Sequence, residues 1–216
     1  MIKISDKIKS LDKAMSLGIL TADVLVEKSC SEIVELLNKE VEVIEKLTLD
    51  NYRNETLEAS RAIYKALCKD PSRYRISSDS LFRRIIKKKG IYYVSNVVDI
   101  NNIISMRTLW SVGAYDMEKI EGDIVYGVGS DEIYEGIGRG ILNIDKLPVL
   151  IDQKGPFGSA TSDSLRTMVT EDTKKILMVI HAFGDGQGLE ASLNDMKNYL
   201  EKYASGENVS ITIVMP

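Results

Sequence analysis

The run KKILMVIHAF, residues 174–183, most constrains the fold. From Ile176 onward it is a continuous apolar stretch broken only by His181, and it lacks the alternation of a strand with one wet face. Such a run suits a central strand covered on both sides. His181 is the only histidine in the chain, so it excludes a multi-histidine metal centre and leaves at most one imidazole for acid–base work. Its place inside the apolar pattern favours a structural role.

Helical spacing dominates before this run. LGILTADVLVE, residues 17–27, reads as a strand, and Ser29 with Glu32 three positions later has the form of a capping box. Ile33, Leu36, Leu37, Val41, Ile44 and Leu47 then recur at helical intervals, with Glu35, Lys39, Glu42 and Lys46 between them. A second helix is expected over 54–69, ending before Pro71. Ser77 or Ser78 is placed to cap a helix that runs to about Lys89 and stops at Gly90. Another is expected from about Asp99 to Leu109, with Asn101 and Asn102 near its first turn. There they either cap the helix or meet an anion or polar substrate.

After Gly113, within a tight GAYD turn, the pattern becomes mostly β: DIVYGVG, EIYEGIG and PVLID at 148–152 read as short strands. GPFGSATSDSLRT, residues 155–167, reads as a long polar loop of the kind that usually serves function. GDGQG makes a turn, Leu189, Leu193, Met196, Leu200 and Tyr203 mark a last helix, and VSITIVMP is a final strand. The 216 residues are expected to form a single domain. An N-terminal strand and helical layer (1–70) docks on a core (71–183) with no Gly/Ser-rich or Pro-rich linker after it, and a C-terminal helix and strand (184–216) follow.

Charge narrows the function. The chain carries a net charge of -4, which is not that of a protein built mainly to neutralise nucleic-acid phosphates. Yet between Arg73 and Lys89 stand seven basic residues (Arg73, Arg75, Arg83, Arg84, Lys87, Lys88 and Lys89) against one acid, Asp79. The stretch is either a solvated helix face or a local patch for an anionic partner. Cys30 and Cys68 are too few and too far apart for a disulfide framework or a zinc site, and no run approaches a membrane span. MIKISDKIKS has no secretory signal, and a cytoplasmic location is expected. There is no Walker-type P-loop, no GxGxxG between strand and helix and no GxSxG elbow. No metal or cofactor is therefore expected, and no catalytic residue is singled out.

RISSDSLFRRIIKKKGI, NVVDINNII, GAYDMEKIEGDIV and VTEDTKKIL occur in that order over about half the chain. Together they resemble the tRNA-binding and editing domain of the phenylalanyl-tRNA synthetase beta chain, and most closely its free-standing relatives. The resemblance implies an α+β fold with mixed β-sheets flanked by helices. It also implies a pocket for the aminoacyl end of a tRNA and hydrolysis of mischarged aminoacyl-tRNA in trans, with no aminoacylation by this chain. On that likeness the pocket residues are Asn101, Asn102, Gly113, Thr161 and Asp163, and the tRNA contacts are Arg73, Arg75, Arg83, Arg84, Lys87 and Lys88. Three positions depart from the synthetase pattern. Asn101 stands where the synthetases have threonine, Gly113 where they have histidine, and Asp163 is only the nearest acidic counterpart of a glutamate that recognises the tyrosine hydroxyl. The alternative is a non-catalytic module that binds a free amino acid or small metabolite.

Overall fold

A computed structural model describes residues 1–216. In chain order the elements are β1 (Ile2–Ile4), α1 (Asp6–Leu11), β2 (Ser16–Asp23), α2 (Ser31–Ile44), α3 (Glu55–Ala66), α4 (Ser77–Ile86), α5 (Asn96–Thr108) and β3 (Ser111–Asp116). There follow β4 (Ile124–Val128), β5 (Glu135–Gly136), β6 (Gly140–Ile141), β7 (Pro148–Asp152), β8 (Gly155–Ser159), β9 (Lys175–Ala182), α6 (Leu189–Tyr203) and β10 (Glu207–Val214).

The apolar run becomes β9, an interior strand of an antiparallel sheet ordered β10-β2-β9-β3. Side chains alternate across it. Ile180 lies opposite Gly18, where an added Cβ would come 2.7 Å from Leu189, so α6 packs against this face and needs the bare glycine. On the other face His181 meets Tyr126 of β4, with ring centroids 5.3 Å apart. Tyr126 belongs to a second sheet, ordered β1-β4-β7-β8, in which β1 pairs parallel with β4 and the other pairs are antiparallel. The architecture is α+β: two facing sheets, one of them mixed, with helices on the outer face of the first. Because β2 lies between β9 and β10, residues from both ends of the chain share one sheet. No helix is long and apolar enough to cross a membrane.

His181 is fully buried between the sheets. Its Nδ1 lies 3.2 Å from the Tyr126 hydroxyl and its Nε2 has no partner. Desolvation lowers its pKa to about 3, so the ring is neutral in ordinary buffers. It is a core residue and does not line the polar cavity described below.

Several local expectations are corrected. GAYD is no turn: Gly113 to Asp116 belong to β3, all of whose residues are buried, and burial overrides the turn preference of Gly and Asp. The expected loop 155–167 opens with β8, paired to β7, and holds a short 3-10 turn at Leu165–Thr167. EIYEGIG contributes only the two-residue strand β5 of a small hairpin. Ser29 does not cap α2, whose N-cap is Cys30. Its hydroxyl instead donates to buried Asp99 at 2.6 Å. Neither Ser77 nor Ser78 caps α4, because Ile76 holds that place and Ser78 Oγ donates to the Leu109 carbonyl at 2.6 Å. Helix α4 ends at Ile86, three residues short of Lys89. Helix α5 begins at Asn96 behind Ser95, whose Oγ accepts from the Val98 N–H. Asn101 and Asn102 therefore sit in its second turn, where backbone N–H groups are used by the helix.

Candidate functional site

Helices α4 and α5 converge on β3 and on the end of β8, and a cavity of about 140 Å³ lies between them. Helix α4 supplies Ser77, Ser78 and Leu81, and α5 supplies Asn101, Asn102 and Ser105. Val112 of β3 and Ser159, Ser162 and Asp163 close the far side. The wall is hydroxyl, amide and carboxyl, with only two apolar side chains. Asn101 Nδ2 donates to the Val112 carbonyl at 2.7 Å, which fixes the orientation of the amide. Its Oδ1 is buried without a partner. A buried acceptor left open at a cavity wall suits a ligand N–H or O–H group.

Asp163 follows β8, and its Oδ1 accepts from the Tyr115 hydroxyl at 2.6 Å. Desolvation raises its pKa to about 7, against the opposing hydrogen bonds from Tyr115 and from the backbone of Ala114 and Ser159. The carboxyl therefore exchanges a proton near neutrality, a property common at functional sites. Tyr115 reaches it because the ring lies between Gly113 and Gly158. A Cβ at either glycine would overlap the Tyr115 hydroxyl. The ring also makes an edge contact with Phe157, at 5.1 Å between centroids.

A second hollow of about 560 Å³ adjoins the cavity and shares Ser77, Leu81 and Asn102 with it. Arg75, Arg83, Arg84, Lys87, Lys89 and Arg139 line it, with no acid among the lining residues. The basic groups are not equivalent. Arg83 Nε donates to Asp79 Oδ1 at 2.8 Å, and Tyr52 donates to the same oxygen at 2.5 Å. Arg84 is held by the carbonyls of Gly90 and Lys89, at 2.8 and 3.1 Å. Arg75 Nε is buried with no partner.

Of the residues named from sequence, Asn101, Asn102 and Asp163 share the cavity, and Arg75, Arg83, Arg84 and Lys87 share the adjoining cleft. Gly113 lies beneath the Tyr115 ring instead of at the cavity wall. Thr161 is buried and its Oγ1 is 2.8 Å from the Tyr64 hydroxyl, so it serves packing between α3 and the loop after β8. Arg73 lies outside the cleft, 5.6 Å from the Tyr74 ring centroid. Lys88 is also outside it, because a positive φ of 54° past the end of α4 turns the chain.

A family model described as the B3/4 domain matches residues 59–208. The chain belongs to the B3/4 domain family. It is thereby a relative of the corresponding domain of the phenylalanyl-tRNA synthetase beta chain. Among solved structures, an N-terminal fragment of the phenylalanyl-tRNA synthetase beta-subunit from Pyrococcus horikoshii has a TM-score of 0.50 and 14% identity. The alignment covers 97% of this chain and 50% of that one, so the likeness is one of fold, and this chain spans about half the length of its neighbour. No curated protein matches the sequence.

The B3/4 match encloses the cavity and the cleft, including parts that sequence reading missed. Arg139 arrives on the β5–β6 hairpin, where Gly138 and Gly140 both have positive φ. As a lone arginine among glycines it carried no periodic signal. Ser159 and Ser162 were legible only as a polar loop. The Tyr115–Asp163 bond of this B3/4 chain joins residues 48 positions apart, a pairing that depends on tertiary packing.

Proposed function

We propose that this chain binds the aminoacyl end of a tRNA and hydrolyses the ester, with the amino acid in the polar cavity and the polynucleotide along the basic cleft. The observation that carries this reading is the shared wall. Ser77, Leu81 and Asn102 border both spaces, so a ligand with an amino acid at one end and phosphates at the other occupies both at once. The cavity suits the size of the guest, since a void of about 150 Å³ holds a benzene-sized group. The tRNA context comes from the B3/4 family and its synthetase neighbour.

In this mechanism Asn101 Oδ1 accepts from the substrate's amino group. Water attacks the ester carbonyl carbon, and the oxygen of Asp163 not held by Tyr115 takes the water proton. The proton then passes to the departing ribose oxygen, leaving a free amino acid and an unesterified tRNA. Ser77, Ser162 and Asn102 supply neutral donors for the oxyanion.

The test is release of labelled amino acid from a panel of mischarged tRNAs. Release that exceeds buffer for at least one of them, and falls at least tenfold in kcat with KM kept in Asp163→Asn, supports the mechanism. No release above buffer from any tRNA would sink the hydrolase. A second reading, binding without hydrolysis, is favoured by the 2.6 Å bond that already occupies one Asp163 oxygen and by the absence of the only histidine from the cavity wall. A melting midpoint raised by one amino acid, in a protein that leaves every ester intact, selects it.

A further inference from the structure

Immediately beyond α4, the segment Gly90–Val94 puts Tyr92 on the surface with 69% of its area exposed, beside a cleft whose charged lining is all basic. An aromatic ring this open gains nothing for the core. Its support is nonetheless rigid. Arg84, a cleft residue, lies 4.3 Å from the Tyr92 ring centroid, and its guanidinium is fixed by the Gly90 and Lys89 carbonyls. The following residues are pinned as well: the Tyr93 hydroxyl donates to Asn38 of α2 at 2.7 Å, and the Val94 N–H donates to Asp99 of α5 at 3.2 Å. One face of Tyr92 rests on a cation that belongs to the cleft. The ring is otherwise open to solvent.

We propose that Tyr92 is a stacking platform for an unpaired base of a single-stranded RNA end whose phosphates lie in the cleft. The proposal rests on the reading of the cleft as an RNA site and adds the class of RNA it takes. A basic groove flanked by a fixed, exposed aromatic ring is the arrangement that holds single strands, with charge for the backbone and a π-face for the base. A duplex keeps its bases stacked inside and makes no use of such a ring. The Arg84 guanidinium beneath adds a cation–π contribution and keeps the ring from turning away.

The experiment uses the full chain and a fluorescently labelled four-nucleotide RNA, together with the same strand carrying abasic positions. Stacking on one ring is worth about 1–3 kcal/mol by alanine substitution, so Tyr92→Ala should weaken binding of the intact strand at least five- to tenfold. Tyr92→Phe should bind as the parent does. The abasic strand should bind the parent weakly and lose nothing more in Tyr92→Ala, and the salt slope should be unchanged because no phosphate contact is removed. Lys87→Gln, by contrast, should reduce that slope by about one. If the parent binds the intact strand and Tyr92→Ala binds it equally well, the platform is overturned while the cleft reading stands. If the parent retains neither strand at low salt, both fall. Tyr92 is too exposed for its removal to threaten folding, and circular dichroism of the variant checks this.

Discussion

The hydroxyl of Tyr115 donates to Asp163 at 2.6 Å by lying across two glycines, 113 and 158, on strands of different sheets. The bond couples the packing of the sheets to the chemistry of the cavity. It also recasts Gly113, which stands where the resemblance puts a histidine. With Tyr115 in this position any side chain at 113 would collide with its hydroxyl, so the glycine is a packing requirement.

Gly113→Ala and Gly158→Ala should each destabilise the fold by about 1–3 kcal/mol, the usual cost of overpacking a filled core. Urea unfolding midpoints measure it. Tyr115→Ala combined with Gly113→Ala should lose less than the sum of the two single changes, because the overlap exists only while the ring is present. Strict additivity would show that the glycine is there for another reason.

The Asp163 carboxyl sits near 7 in the folded chain against an ordinary 3.8. Between those values the folded state holds a proton that the unfolded state has lost, so this group's contribution is fully present below about 3.8 and is lost as pH rises through about 7. His181 acts the other way. Its pKa falls to about 3 from an ordinary 6.5, so its contribution is present above 6.5 and lost as pH falls through the acid range. The two slopes oppose each other between roughly pH 4 and 6.5. Asp163→Asn should remove one of them, giving a variant whose stability climbs with pH over that window and does not decline from pH 6 to 8. Denaturation midpoints at four pH values test both statements.

Strong periodicity made most elements legible. The apolar run from Ile176 to Phe183 suits the interior strand it forms, and the helices around Leu37, Ile63, Phe82 and Leu193 follow from their spacing. Misreadings fell where a residue's local preference was overruled by a distant partner. Ser29 is a good cap by type, but buried Asp99, 70 positions away, takes its hydroxyl. Gly113 and Asp116 look like turn residues, but Tyr115 needs the first for space, and Thr173 donates to the carboxylate of the second at 3.0 Å. Asn101, Asn102 and Asp163 share an expected pocket only through the family resemblance, because the cavity joining them requires the α4–α5 packing that no local pattern encodes.

Asn96 is a structural residue whose importance is visible only in three dimensions. It is buried, its Oδ1 accepts from the Glu27 N–H at 3.1 Å, and its Nδ2 donates to the carbonyls of Leu25 and Tyr203 at 2.8 and 3.1 Å. It therefore ties the segment after β2 to the end of α6. Asn96→Ala orphans these groups at a cost of about 1–3 kcal/mol each where water cannot reach them. Asn96→Asp should be at least as damaging, since it keeps the acceptor, loses both donors and buries a charge. Hydrogen exchange should report loss of protection at Glu27 ahead of any change in β9.

Arg83 separates fold from function within the basic cleft. Its Nε is 2.8 Å from the carboxylate of Asp79, whose side chain is 1% exposed, whereas the arginine is 21% exposed. Removing the cation leaves a buried anion supported only by Tyr52, and breaking buried pairs costs about 3–5 kcal/mol, an upper bound here because the arginine end is partly solvated. Arg83→Met should therefore lower the unfolding midpoint sharply, and adding Asp79→Asn should recover most of the loss. The same pairing neutralises much of the charge that Arg83 offers a polyanion. Lys87, which has no ion-pair partner, should account for more of the salt dependence of RNA binding than Arg83 does. Comparing the stable double variant Arg83→Met/Asp79→Asn with Lys87→Gln in a salt titration isolates that difference, and an equal or larger slope change in the double variant would return Arg83 to the RNA-binding surface.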